Sequence, residues 1–171
     1  MRQSAGRGLQ PPEPISDKHD LAPFDCGNED LNDWLKRRAL TSEGRSARTN
    51  VLCDGQRVVG YYCLATGSIE RESLSSAKLR KNLPDPIPIL VLGRLAIAVD
   101  YQGRGLGKAL LKDAIVKSIA ASEIAGIRAL VVHAIDEAAA RFYQRYGFAA
   151  SPLNPRALLL PIETAKAALA L

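Results

Sequence analysis

The chain has 171 residues, 47% hydrophobic and 24% charged, with a formal net charge of +5; a chain this long buries roughly 70% of its unfolded surface, enough for one soluble domain with a real core. The positive excess points to polyanionic partners such as a phosphorylated cofactor or nucleic acid. No apolar run approaches the roughly 18–20 residues that span a membrane, residues 1–10 lack the apolar stretch of a signal peptide, and Cys26, Cys53 and Cys63 contain no C-x-x-C pair, which argues against a disulfide framework or a zinc site and fits a reducing cytosol.

One folded domain is expected over 12–162, between a flexible tail at 1–11 and a short tail at 163–171. Residues 11–16 form a candidate edge strand, limited by their prolines. Asn28 is a good N-cap, Glu29 and Asp30 suit a first helical turn, and Leu31, Trp34 and Leu35 make an apolar stripe in a helix that should end near Gly44. Residues 48–53 and 57–69 read as two strands of a hairpin turning at Asp54-Gly55. The polar, basic stretch 70–82 has room for a short helix around 73–79, and the prolines of 84–88 make a stiff connector. Residues 89–99 form a central strand, apolar except for Arg94. A helix at 108–124 presents Leu111, Ile115 and Ile119 to the core. A strand at 129–134 follows, then a helix capped by Asp136 and closed by Gly147, and two short strands at 148–151 and 156–160. This order predicts an α/β fold with a mixed sheet: an antiparallel hairpin in the N-terminal half and parallel neighbours in the second.

Between the central strand and its helix lies Gln102-Gly103-Arg104-Gly105-Leu106-Gly107-Lys108. Glycine loops in this position bind phosphate, because free backbone N–H groups point outward there and the helix dipole favours negative charge. The glycines are spaced by two, which does not fit the dinucleotide pattern G-x-G-x-x-G. A Mg²⁺–nucleotide loop needs a hydroxyl after its Gly-Lys, and here Ala109 follows Lys108. The spacing does match Q/R-x-x-G-x-G/A, the pyrophosphate loop of the GNAT superfamily of N-acetyltransferases.

The chain resembles that superfamily over residues 12–162. Phe142-Tyr143-Gln144-Arg145-Tyr146-Gly147-Phe148 is similar to its F-Y-x-x-x-G-F signature. Phe24-Asp25-Cys26-Gly27-Asn28, with Leu31 and Trp34-Leu35, resembles the opening of the tRNA-acetylating toxins of bacterial toxin–antitoxin pairs, as do Leu92-Gly93-Arg94-Leu95-Ala96 and Val132-His133-Ala134-Ile135-Asp136. The resemblance implies the GNAT fold, with splayed parallel strands and flanking helices, and a cytoplasmic enzyme. It implies acetyl transfer from acetyl-CoA to the α-amino group of aminoacyl-tRNA by direct attack in a ternary complex, with no metal. It also implies a ribbon–helix–helix antitoxin encoded nearby and a homodimer. Acetylation of protein or small-molecule amines, and a non-catalytic module binding acetyl-CoA or RNA, are the alternatives.

On this basis Ile97, Ala98 and Val99 are expected to pair with the pantetheine arm, and Gln102, Gly103, Arg104, Gly105, Leu106, Gly107 and Lys108 to hold the pyrophosphate. Tyr143 is the candidate catalytic residue, donating a proton or hydrogen bond to the departing sulfur. An α-amine, with pKa near 7.7–8.0, is partly neutral already, so no strong general base is required. Lys36, Arg37, Arg45, Arg71, Lys78, Arg80 and Arg94 are candidate tRNA contacts; Arg94 has carboxylate pairing as its structural alternative. His133 is expected as a hydrogen-bonded structural residue, His19 as a surface residue, and Cys26 as a small buried hydrophobe.

Overall fold

In a computed structural model of the chain, residues 8–74, 77–81 and 83–169 are described, with 78 and 79 by backbone alone. Most of the expected tail at 1–11, residues 170–171 and the Lys78 side chain lie outside this description. Strands β1 (Glu13–Pro14), β2 (Arg48–Asp54), β3 (Arg57–Ile69), β4 (Ile87–Ile97), β5 (Ala129–His133), β6 (Ala149–Ser151) and β7 (Asn154–Pro161) form one mixed sheet in the order β1-β2-β3-β4-β5-β7-β6. Helices α1 (Glu29–Arg37), α2 (Ala39–Ser42), α3 (Ala77–Arg80), α4 (Leu106–Ser122), α5 (Glu137–Arg145) and α6 (Ile162–Leu169) connect and follow them. This is the α/β architecture that the element order predicts. No helix among the described residues is long and apolar enough to cross a membrane. The chain packs as two compact units, Met1–Ala65 with Arg94–Ala114 and Thr66–Gly93 with Ile115–Leu171.

In the first unit, Asn28 caps α1 by accepting from the Leu31 N–H at 3.1 Å, with Glu29 and Asp30 in the first turn. The helix stops at Arg37 rather than near Gly44, because Arg38 leaves helical geometry (φ −121°); a further turn, α2, follows. Leu35 is fully buried, and the Tyr61 hydroxyl donates to Leu31 O at 2.7 Å, which ties α1 to β3. Strands β2 and β3 pair from Arg48↔Leu64 to Asp54↔Arg57, so the hairpin loop is Gly55-Gln56, one position later than expected. Gly60 on β3 is the tight point of this unit. A Cβ there would lie 2.8 Å from Ile97 Cδ1, 3.2 Å from Leu110 Cδ1 and 3.3 Å from Ala96 O.

In the second unit, Ile87, Ile89, Leu74, Ala129, Val131 and Leu159 form a buried apolar cluster. Strand β4 starts at Ile87, inside the expected connector, and pairs in parallel with β5 from Ile89↔Ala129 to Leu92↔Val132. The ladder stops there, although β4 continues to Ile97 and β5 to His133. The short helix expected around 73–79 is displaced: a 3₁₀ turn covers Arg71–Ser73 and α3 begins at Ala77. Residues 163–171, expected as a tail, carry most of α6. Ile162 and Ala165 are buried, and Lys166 pairs with Glu123 at 3.5 Å. Along α4 the buried positions are Leu110, Leu111, Ala114 and Ser118, whereas Ile115 and Ile119 are only half-buried. With apolar residues all round this helix, periodicity alone did not select the face.

Candidate functional site

The glycine loop is built entirely within the first unit. A single 3₁₀ turn, Val99–Tyr101, ends β4, and α4 begins at Leu106. Gly103 and Gly105 hold φ of +80° and +77°, and a Cβ on either would meet nothing within 4 Å. Two left-handed residues two apart, ahead of a helix start, turn successive N–H groups to one side as an anion-binding concavity. The bond from Ala109 N–H to Gly105 O leaves the N–H groups of Leu106 and Gly107 without an intrahelical acceptor. Open space, oriented donors and the helix dipole together fit a pyrophosphate.

Charged groups brace this loop. The Arg104 guanidinium lies 4.6 Å from the centre of the Tyr101 ring and donates to Asp100 O at 3.1 Å. Arg57 lies 5.3 Å from the same ring centre and binds both Asp100 carboxylate oxygens, at 3.1 and 2.9 Å. The Tyr101 hydroxyl donates to Asp54 Oδ2 at 2.5 Å. That bond to Asp54 and, next, desolvation push the Tyr101 phenol up, so it stays protonated.

Four of the expected cofactor residues take more specific places. Gln102 Nε2 donates to Ile97 O at 2.8 Å and to Cys26 O at 3.2 Å, so both its donors are spent within the chain. The N–H groups of Ala98 and Val99 donate to Val59 O and Asp25 O, each at 2.8 Å, and are not open to a pantetheine arm. Strand geometry turns the polar groups of Ile97 to the side opposite those of Ala98; its carbonyl is taken by Gln102, so its N–H is the group suited to that pairing. Arg104 and Lys108 are exposed.

The second unit holds Tyr143 on α5, whose N-cap Asp136 accepts from Ala139 N–H at 2.8 Å. Tyr143 is 7% exposed and packs edge-on against Phe142 (5.1 Å between ring centres) and Phe148 (5.5 Å). Burial pushes its phenol up to about 12. Its main-chain carbonyl accepts from Tyr146 and Phe148 N–H groups, so the turn at Gly147 is tied to the tyrosine itself.

The candidate tRNA contacts separate into two kinds. Lys36, Arg37 and Arg45 are exposed. Arg71 and Arg80 are half-buried and brace their own segment: Arg80 donates to Leu74 O at 2.8 Å, and Arg71 N–H donates to Asp85 Oδ1 at 3.3 Å. Arg94 does not take the carboxylate pairing that was its structural alternative. Its guanidinium lies 4.2 Å from the centre of the Trp34 ring and donates to Cys63 Sγ at 3.8 Å. Trp34 in turn stacks on Tyr61 at 6.0 Å and 9°. A cation over an indole face is attractive where it is partly desolvated.

Both histidine expectations are corrected. His133 is exposed at the end of β5, and His19 is buried rather than on the surface. Ser16 N–H donates to His19 Nδ1 at 3.0 Å, which assigns the ring proton to Nε2, 3.0 Å from Glu13 Oε2. Among the described residues Glu13, His19 and Cys53 are the one group with metal-ligand spacing. The Nε2 proton faces Glu13, and burial pushes the Cys53 thiol up to about 11, so this is the chemistry of a structural hydrogen bond. Cys26 is half-buried, and its thiol is also pushed up by desolvation, in line with its expected inertness.

Sequence reasoning missed Asp25, Asn32, Asp54 and Tyr101, whose hydrogen bonds and ring contacts lie beside the start of the loop. Asp25 and Asn32 lie inside or beside a motif that was visible, but nothing local tells that they hold a loop seventy residues on.

A profile for an acetyltransferase (GNAT) domain matches residues 45–150. A "tRNA-acetylating toxin" of Mycobacterium tuberculosis (strain ATCC 25618 / H37Rv) is 40% identical over 161 residues, covering 94% of this chain and 96% of the relative. Among solved structures, AtaT complexed with acetyl-methionyl-tRNAfMet is similar at a TM-score of 0.87 and 34% identity, over 94% of this chain and 98% of that one. A tyrosine-to-phenylalanine mutant of the AtaT toxin, bound to the C-terminus of the antitoxin AtaR and acetyl-CoA, is similar at a TM-score of 0.79 and 30% identity, over 95% and 99%.

Proposed function

The chain belongs to the GNAT acetyltransferase family, and from that premise we propose that it is a toxin acetylating the α-amino group of aminoacyl-tRNA, with acetyl-CoA as donor. The observation that carries this reading is likeness along nearly the whole length to a tRNA-acetylating toxin. The left-handed glycines ahead of α4 support the donor assignment.

Acetyl-CoA supplies the activated acyl group. N–H groups of 103–107 hold its pyrophosphate, with Arg104 and Lys108 adding charge, and Ile97 pairs with the pantetheine arm. The α-amine needs little help in losing its proton, since its pKa lies near neutrality. It attacks the acyl carbon directly in a ternary complex: a nitrogen–carbon bond forms as the carbon–sulfur bond breaks, the proton shed by nitrogen passes to solvent, and Tyr143 directs its hydroxyl to the departing sulfur. Lys36 and Arg37, exposed at the end of α1, and Arg45, exposed after α2, are the residues assigned to tRNA phosphates; Arg71, Arg80 and Arg94 contribute through the segments they brace. A ribbon–helix–helix antitoxin is the assigned neutralising partner, the protein acts in the cytoplasm, and it works as a homodimer.

The test is incubation of the protein with charged tRNA and labelled acetyl-CoA. Label on the amino group of an aminoacyl-tRNA is the expected outcome. Label confined to peptides or polyamines, or acetyl-CoA binding without any transfer, would replace the proposed acceptor or the proposed catalysis.

A further inference from the structure

Residues 24–28 carry the chain's opening motif, yet acetyl transfer gives them no chemistry. Their hydrogen bonds do. Asp25 Oδ1 accepts from Gly27 N–H at 2.9 Å and from Asn32 Nδ2 at 3.0 Å, while Asn32 Oδ1 accepts from Cys26 N–H at 2.9 Å. Asn32 is 5% exposed, so this exchange of bonds fixes the turn from inside. Gly27, at φ +91°, lets the turn close with Val99 Cγ2 only 3.7 Å from where a Cβ would stand.

The locked turn presents two carbonyls to the start of the glycine loop. Asp25 O accepts from Val99 N–H at 2.8 Å, and Cys26 O accepts from Gln102 Nε2 at 3.2 Å. The same Nε2 reaches Ile97 O at 2.8 Å, so one amide bridges the end of β4 and the locked turn. The first side chain of the pyrophosphate pattern therefore spends its donors on the protein. A glycine-rich loop is costly to order, and fastening its start in advance reduces what ligand binding must offset.

We propose that Asp25, Asn32 and Gln102 are positioning residues that hold the glycine loop ready for the donor's pyrophosphate. The proposal rests on the acetyl-CoA reading of that loop. It requires only a hydrogen-bond donor at 102, because both acceptors are carbonyls.

Titration calorimetry with acetyl-CoA and backbone amide exchange of the unliganded full chain test it, on Gln102→Met, Gln102→Arg and Asn32→Leu. Gln102 is exposed, so its variants fold. Gln102→Met keeps the length and donates nothing; its Kd should rise roughly tenfold, the loss of one to two hydrogen bonds. Gln102→Arg should recover affinity to within about threefold of the parent. Exchange at 99–107 should quicken in Gln102→Met and Asn32→Leu while 57–65 stays protected. Parent-like affinity and exchange in Gln102→Met would overturn the proposal, as would quickening spread evenly along the chain. Failure of the parent protein to bind acetyl-CoA would remove the donor reading instead, and the exchange experiment would still decide whether the clamp exists.

Discussion

Tyr143 sits among Phe142 and Phe148 at 7% exposure, and burial holds its phenol at about 12. A thiol titrates near 8.5, so complete proton transfer from this phenol to a leaving thiolate runs uphill. In the proposed reaction the hydroxyl would therefore serve chiefly as an oriented hydrogen-bond donor to developing charge on sulfur. Tyr143→Phe, which keeps the ring and its packing, should lower kcat by about a hundredfold, near the lower bound for such groups. Its acetyl-CoA affinity by calorimetry should stay within about twofold of the parent's, since the lost bond forms only as the sulfur departs. Unchanged turnover would remove Tyr143 from catalysis. The same raised pKa sets the sign of the pH dependence. Rate should climb as the amine becomes neutral, below the pH 7.7–8.0 of an ordinary α-amine because the acceptor is an ester, and then level, because Tyr143 keeps its proton far above that range. Single-turnover rates that fall again below about pH 10 would identify a different acid.

Among the elements, the meeting of β3, β4 and α4 at Gly60 allows no side chain. With Ile97 Cδ1 at 2.8 Å and the Ala96 carbonyl at 3.3 Å from the Cβ position, Gly60→Ala forces a methyl against both a core side chain and backbone. Urea unfolding should show a loss of about 1–3 kcal/mol. Gly126→Ala, where a Cβ meets nothing, should change stability by no more than about 0.5 kcal/mol. Equal midpoints for the two would show that the sheet relaxes around Gly60. Elements with local punctuation were legible from sequence: Asn28 and Asp136 cap the helices they were expected to cap, and the hairpin pairs to within one residue of its expected turn. The face of α4 was misjudged, because Ile115 and Ile119 are as apolar as the Leu110 and Leu111 that are buried. Helix α6 was overlooked because its run of alanines gives no amphipathic signal, although alanine is the best helix former. The glycine loop was legible as a pattern. Its fastening was not, since the Gln102–Cys26 bond joins residues 76 apart and leaves no periodic trace.

For the whole molecule, charge and burial make separate predictions. The +5 excess should show as salt dependence with tRNA. If a few cationic side chains neutralise phosphates, raising salt from about 50 to 200 mM should cut kcat/KM for aminoacyl-tRNA by roughly 10- to 100-fold. A minimal aminoacyl-adenosine acceptor, lacking the acceptor stem, should lose far less; equal losses would remove the basic residues from tRNA binding. Burial acts on stability at alkaline pH. Cys53 is pushed up to about 11 and Tyr143 to about 12, and burial raises Tyr61 and Tyr62 as well. Each of these groups has a folded pKa above its unfolded value, so the folded state holds protons that the unfolded chain releases. The stability they contribute is complete below the unfolded pKa values, 9.0 for the thiol and 10.0 for the phenols, and is lost as pH rises toward the folded ones. One pKa unit is worth about 1.4 kcal/mol, so Tyr143 alone accounts for roughly 3 kcal/mol between about pH 10 and 12. Comparison of the parent with Tyr143→Phe isolates the phenol's contribution in the measurement. Denaturant unfolding across this range should give a steeper fall for the parent, which loses roughly 3 kcal/mol relative to Tyr143→Phe as Tyr143 ionises. Parallel curves would mean that the phenol reaches solvent, and with that exposure the argument for Tyr143 as a protonated, oriented donor would fail too.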